Sequence, residues 1–236
     1  MDLASSAIHL ETELPGPKAR ALIAADRPYL SPSLIHCYPL YVKRAAGCMV
    51  EDVDGNRLLD VQAGIATTST GHCHPKVAAA MREQLDTLIH ICGTDFHYAG
   101  YGELCRRLSR LAPGGTDDWQ TFLTNSGTEG VEAAIKLARS HTGRPQLISF
   151  RGAFHGRSTG SVTLTASKPK YKKGFGPLLP GVSHAHFANC FECPVGRTFP
   201  SCDVACLTEG LERDLFGATV PPSEVAAIFV EPIQGE

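Results

Sequence analysis

The chain has 236 residues, 43% hydrophobic and 19% charged, with a formal net charge of −2. That is enough apolar material for a real core, and the charge balance excludes a nucleic-acid footprint. No apolar run is long enough to span a bilayer, and residues 1–13 carry acids where a secretory signal needs a basic start and an apolar stretch.

Residues 1–40 are Pro-rich and irregular, with one short helical stretch near 18–25. Asp54-Gly55-Asn56, flanked by the runs 48–53 and 57–61, is a hairpin signal. Residues 63–71 are small and polar and predict a loop. Pro75 opens a helix that carries Val77, Met81, Leu85 and Leu88 on one face. A second helix covers 101–111, turns Leu104, Leu108 and Leu111 inward, and ends at Pro113-Gly114-Gly115.

From Trp119 onward strands and helices alternate. The pattern predicts strand 120–124, helix 127–140, strand 146–150, a loop 151–157 and a helix from Ser158. Strand 182–187 and helix 203–216 follow, the helix aligning Val204, Leu207, Leu211 and Leu215. The apolar run 225–230 is typical of a buried parallel strand. Such alternation argues for an open α/β sheet. In these sheets ligands sit beyond the carboxyl ends of the strands. Three polar clusters fall there: 125–129, 152–157 and 231–236. The basic cluster Lys168, Lys170, Lys172 and Lys173 reads as a solvated loop.

Asn125-Ser126-Gly127-Thr128-Glu129-Gly130 carries the most information. Ser126 followed three residues later by Glu129 is a capping box that fixes a helix start. Free backbone N–H groups at such a start attract an anion, and a phosphate is the usual guest.

Nine cysteines, five of them scattered singly, fit a reducing, cytoplasmic setting better than a disulfide framework. Cys190, Cys193, Cys202 and Cys206 lie in one Pro/Gly-rich insertion. Four thiols at this spacing could bind zinc or an iron–sulfur cluster. A helix holding both Val204 and Cys206 would limit how the pairs converge, so reduced thiols without metal are the default reading.

Six segments together resemble the class III aminotransferases, pyridoxal-phosphate enzymes of fold type I. They are 52–56 (Asp-Val-Asp-Gly-Asn), 63–66 (Ala-Gly-Ile-Ala), 71–77 (Gly-His-Cys-His-Pro-Lys-Val), 125–129, 152–157 (Gly-Ala-Phe-His-Gly-Arg) and 230–236 (Val-Glu-Pro-Ile-Gln-Gly-Glu). Their order and spacing match that family from about residue 40 onward, with 4-aminobutyrate and related ω-amino-acid transaminases as the nearest look. The resemblance implies a three-layer α/β/α large domain with a mostly parallel sheet. It assigns 1–62, with its hairpin, to the small domain and 63–236 to the pyridoxal-phosphate-binding large domain.

It also implies roles. Ser126, Gly127 and Thr128 would hold the phosphate of pyridoxal 5'-phosphate. Phe154 would stack on the pyridine ring, where an aromatic face suits a flat cofactor, and His155 would shape the pocket. Glu231 would lie near the ring. Arg157 would clamp the substrate carboxylate through its planar fork, Ile65 would line the substrate channel, and Glu236 would be the gate carboxylate of a dual-substrate enzyme. Partners would be an amino acid and a 2-oxo acid, in a homodimer at full length.

The family's chemistry needs a lysine bonded to the cofactor and a carboxylate on its pyridine nitrogen. The eight lysines (Lys18, Lys43, Lys76, Lys136, Lys168, Lys170, Lys172 and Lys173) match no catalytic position. In the family both groups follow the Glu-Pro-x-Gln-Gly-Glu segment. The chain is therefore expected to be the N-terminal part of a longer enzyme, inactive alone. Acetylornithine, ornithine and alanine–glyoxylate transaminases share much of these motifs. The alternative from another class is a non-catalytic phosphate-binding or interaction domain. A dinucleotide-binding dehydrogenase fails because no Gly-x-Gly-x-x-Gly follows a strand.

Overall fold

The computed structural model describes residues 3–115 and 118–236. The chain forms two compact units, Met1–His97 and Tyr98–Glu236. The division at 62/63 drawn from the sequence falls inside the first unit.

The first unit begins with helix α1 (Pro17–Asp26). A three-stranded antiparallel sheet follows, of β1 (Val42–Ala46), β2 (Met49–Asp52) and β3 (Arg57–Leu59) in that order. Strand β1 had no clear sequence signal, because its residues do not alternate. The hairpin turn forms where Asp54-Gly55-Asn56 places it. Asp52 Oδ1 accepts the N–H groups of Asp54 and Asn56, both at 2.9 Å, and Gly55 supplies the positive φ of 96° that the turn requires. The Asp54 carboxylate in turn accepts the N–H groups of Lys18 and Ala19 at 2.9 and 2.8 Å. It so caps α1 from a distant part of the chain.

Residues 63–66, expected as loop, make a short helical turn, α2 (Ala63–Ala66), with φ of 50, 61, 58 and 60°. The turn is left-handed, which costs about 1–2 kcal/mol per non-glycine residue. Helix α3 (Pro75–Thr87) starts on Pro75 as expected.

The second unit carries helix α4 (Ala99–Leu111). Its apolar stripe is present, but Leu104, Leu108 and Leu111 are exposed, not inward. The 3.6-residue period fixes which side chains share a face; it does not supply an element to cover them. The expected strand 120–124 is also absent. A strand exists through its ladder, and no described strand pairs with this segment.

Helix α5 (Gly127–Thr142), strand β4 (Gln146–Phe150), helix α6 (Thr159–Leu164) and strand β5 (Val182–Ala185) come next. A three-residue turn, α7 (Ala205–Leu207), runs into a π-helix over Thr208–Phe216, and strand β6 (Val225–Ile228) closes the order. The expected helix 203–216 thus begins two residues late, because Asp203 and Val204 take positive φ. Val204 is consequently exposed, while Leu211 and Leu215 reach the core.

The sheet order is β5-β4-β6, and both pairings are parallel. Successive residues of central β4 point to opposite faces. Leu147 packs with Ile135 of α5 and Leu164 of α6. Ile148 and Phe150 pack against Leu211, Leu215 and Phe216 of the π-helix. Helices on both faces make a three-layer α/β/α arrangement, so β4 buries Leu147 on one face and Ile148 and Phe150 on the other. Among the described residues no helix is long and apolar enough to cross a membrane.

Candidate active site at the carboxyl ends of the parallel strands

The start of α5 is built as the sequence implies. Ser126 is the N-cap, and its hydroxyl accepts the Glu129 N–H at 3.3 Å. The Glu129 carboxylate reaches one residue beyond the usual box partner and accepts the Asn125 N–H at 2.7 Å. Ser126 O takes the Gly130 N–H at 3.2 Å. The N–H groups of Gly127 and Thr128 then have no acceptor among the described residues. A methyl group added at Gly127 would meet nothing within 4 Å. Two donors without an acceptor at the positive end of a 16-residue helix can receive and cradle an anion.

The Thr128 hydroxyl is engaged elsewhere. It bonds Ser158 Oγ at 2.7 Å and Ser161 Oγ at 2.5 Å. Glu132, one helical turn along the same face of α5, accepts the N–H groups of Gly160 at 2.8 Å and Ser161 at 3.0 Å, and also the Ser158 hydroxyl. The start of α6 is therefore capped by a side chain of α5. Gly156 fits between them: its φ is 128°, and a Cβ there would lie 2.5 Å from Thr128 Oγ1. The loop 151–157 is thereby held against the cradle, and Arg157, between Gly156 and Ser158 in the chain, stands exposed at the same place. Ser158, Ser161 and Glu132 were not singled out in the sequence. Their only signal was the Thr128/Glu132 spacing and the Ser-x-x-Ser repeat at 158–161.

Glu231, just beyond β6, accepts the Phe154 N–H at 2.9 Å. This bond ties the third cluster to the second. His155 donates its N–H to Thr165 Oγ1 at 2.9 Å and packs its ring edge-on to Phe229. Its buried Nε2 has no hydrogen-bond partner among the described residues. Burial lowers the His155 pKa, partly offset by nearby Glu231, which favours the neutral ring.

The Phe154 ring meets Tyr171 edge-on, with centroids 5.4 Å apart. The Tyr171 hydroxyl donates to Glu236 at 3.1 Å, and Lys168 pairs with the same carboxylate. Lys168 holds the Glu236 carboxyl below its ordinary range, and the lysine is raised in return. The lysine cluster is therefore not simply solvated. Lys172 donates to Thr163 O at 3.0 Å, and burial lowers its pKa. Lys172 is drawn partly out of water by its bond to Thr163 on α6, while Lys168 stays half-exposed beside Glu236. Ile65 lies on α2 in the first unit and is 81% exposed.

The family "Aminotransferase class-III" matches residues 32–236. A 4-aminobutyrate aminotransferase of Mycobacterium tuberculosis is 38% identical over 230 residues, 96% of this chain and 50% of that protein. An alanine/serine racemase of Pyrococcus horikoshii is 34% identical over 226 residues, 94% of this chain and 47% of the relative. The crystal structure of a taurine:2-oxoglutarate aminotransferase from Bifidobacterium kashiwanohense, in complex with PLP and glutamate, superimposes with a TM-score of 0.76 at 26% identity, covering 89% of this chain and 47% of the other. The chain spans about half the length of the curated relatives it matches. With the match covering most of its residues, the chain belongs to the class III aminotransferases.

Proposed function

We propose that this chain supplies the phosphate cradle and substrate-carboxylate clamp of a transaminase that passes an amino group from a 4-aminobutyrate-like ω-amino acid to 2-oxoglutarate. The observation that carries this reading is the pair of unpaired N–H groups on Gly127 and Thr128, joined through Gly156 and Ser158 to the Phe154–Glu231 contact. These residues fit pyridoxal 5'-phosphate. A phosphate suits the helix start, a flat ring suits the Phe154 face, and the orphaned Nε2 of His155 offers a polar contact.

When bound, this cofactor supplies an electron sink for carbon acids. The protein's part is binding and orientation. Ser126 fixes the helix start so that both N–H groups converge on one anion. Glu231 holds the Phe154 backbone, which sets the ring's attitude. Arg157 offers two parallel donors to a substrate carboxylate. Glu236, held by Lys168 and Tyr171, supplies the gate charge that favours two alternating substrates. A homodimer and a cytoplasmic location complete the reading.

Two measurements test it. Equilibrium binding of pyridoxal 5'-phosphate should exceed that of pyridoxal by about tenfold or more, the equivalent of at least 1.4 kcal/mol from the phosphate. Equal affinities would refute the cradle. An amino-donor panel with 2-oxoglutarate, run on the full-length enzyme, should form glutamate, fastest from 4-aminobutyrate. The racemase relative supports a second reading: alanine or serine losing optical activity with no 2-oxo acid present would establish it. Phosphate binding with neither activity in the full-length enzyme would favour the non-catalytic alternative.

A further inference from the structure

We propose that Cys190, Cys193, Cys202 and Cys206 form a tetrathiolate site for one soft divalent ion, with Zn²⁺ as occupant. All four cysteines are free and line one small cavity, of about 10 Å³, together with Arg197 and Phe199. That is room for a single water-sized body. The cavity lies in the excursion between β5 and the π-helix and shares no lining residue with the cradle.

The backbone shapes both cysteine pairs. After Cys193, the run Pro194-Val195-Gly196 turns back on itself. Gly196 takes a φ of 66°, its N–H bonds Cys193 O at 3.1 Å, and the Arg197 N–H donates to Cys193 Sγ at 3.3 Å. A backbone N–H aimed at sulfur stabilises a thiolate, as around metal-bound cysteines. The second pair is bent as well. Asp203 and Val204 take φ of 46 and 50°, and the Ala205 N–H bonds Cys202 O at 2.9 Å. Helical turn α7 begins only at Ala205, so Cys202 curls back from Cys206 and is not carried off along a helix. This removes the geometric objection to convergence of the two pairs.

Among the described residues no three such ligands already stand at metal-holding distances. The ion therefore has to draw the sulfurs in, and binding is coupled to closure of the loop. On binding, each thiol loses its proton to water and each sulfur donates a pair to the ion, with no change in oxidation state. Four thiolates on a divalent ion leave a net negative charge. Arg197, which lines the cavity and pairs with Glu209 at 3.2 Å, lies beside it. The site would clip the excursion to the start of the π-helix through Cys206. Tetrahedral sulfur coordination suits Zn²⁺.

The test is metal titration of the protein purified under anaerobic, reducing conditions. One Zn²⁺ per chain should bind. Co²⁺ in its place should give sulfur-to-metal charge transfer and the intense visible bands of a tetrahedral thiolate site. The Cys193→Ser/Cys202→Ser double variant should lose this binding, and Cys92→Ser, outside the loop, should keep it. No stoichiometric uptake by the parent, a Co²⁺ spectrum without sulfur bands, or undiminished uptake by the double variant would each overturn the proposal. Iron with acid-labile sulfide in the purified protein would overturn it in favour of a cluster. The Co²⁺ spectrum of the parent decides the matter even if the variants fail to fold.

Discussion

Glu132 accepts the backbone N–H of Gly160 at 2.8 Å, 28 residues away in sequence. One carboxylate thereby caps α6 from the side of α5 and sets the spacing between the phosphate cradle and the Arg157 loop. Glu132→Ala should strand the N–H groups of Gly160 and Ser161, and cost about 1–3 kcal/mol. Glu132→Gln, which keeps an acceptor, should cost less. Denaturant midpoints of both variants check this. Equal losses would mean that the carboxylate charge, not the cap, matters.

Glycines in this chain divide by surroundings. Gly156→Ala forces a Cβ to 2.5 Å from Thr128 Oγ1 at a φ of 128°. It should destabilise by about 2 kcal/mol or more and weaken cofactor binding. Gly100 and Gly102, on α4, have nothing within 4 Å of an added Cβ. Alanine at either should stabilise by about 0.4–1 kcal/mol by restricting the unfolded chain. Thermal unfolding of the three variants separates the cases.

His155 and His184 both have pKa values lowered by burial, His155 against the opposing charge of Glu231 and His184 reinforced by Lys172. The unfolded chain therefore takes up protons that the folded chain refuses. Their contribution is fully present above the ordinary histidine value of 6.5 and is lost as pH falls through and below it. Stability measured across this range should drop on the acid side. The drop should be shallower in His155→Gln and His184→Gln, and an unchanged slope in both would exclude these rings as its source.

Lys168 and Tyr171 hold Glu236 below its ordinary pKa of 4.5, the lysine hydrogen bond contributing most. In Lys168→Met the carboxyl should titrate closer to 4.5, read by carbon-detected NMR of labelled glutamate. A Glu236 titration that stays put would shift the assignment to Tyr171.

Much of the site was legible because its signals are local. Ser126 and Glu129 stand three residues apart, and their hydrogen bonds need only the first turn of α5. The 54–56 turn and the apolar strands β4 and β6 were readable for the same reason. The Glu132 cap was not, since its donors lie in α6. Nor was the engagement of Lys168 and Lys172, which depends on the loop 166–173 passing back over α6 and beside residue 236.

Sequence by itself determined the periods, the 54–56 turn and the starts of α3 and α5, because these rest on bonds within a few residues. Tertiary structure decided which faces are covered and which strands pair. Leu104, Leu108 and Leu111 share a face on α4 yet stay exposed, and 120–124 has strand-forming residues yet finds no ladder. Burial and pairing both require a second segment, and its position is set by the path of the whole chain.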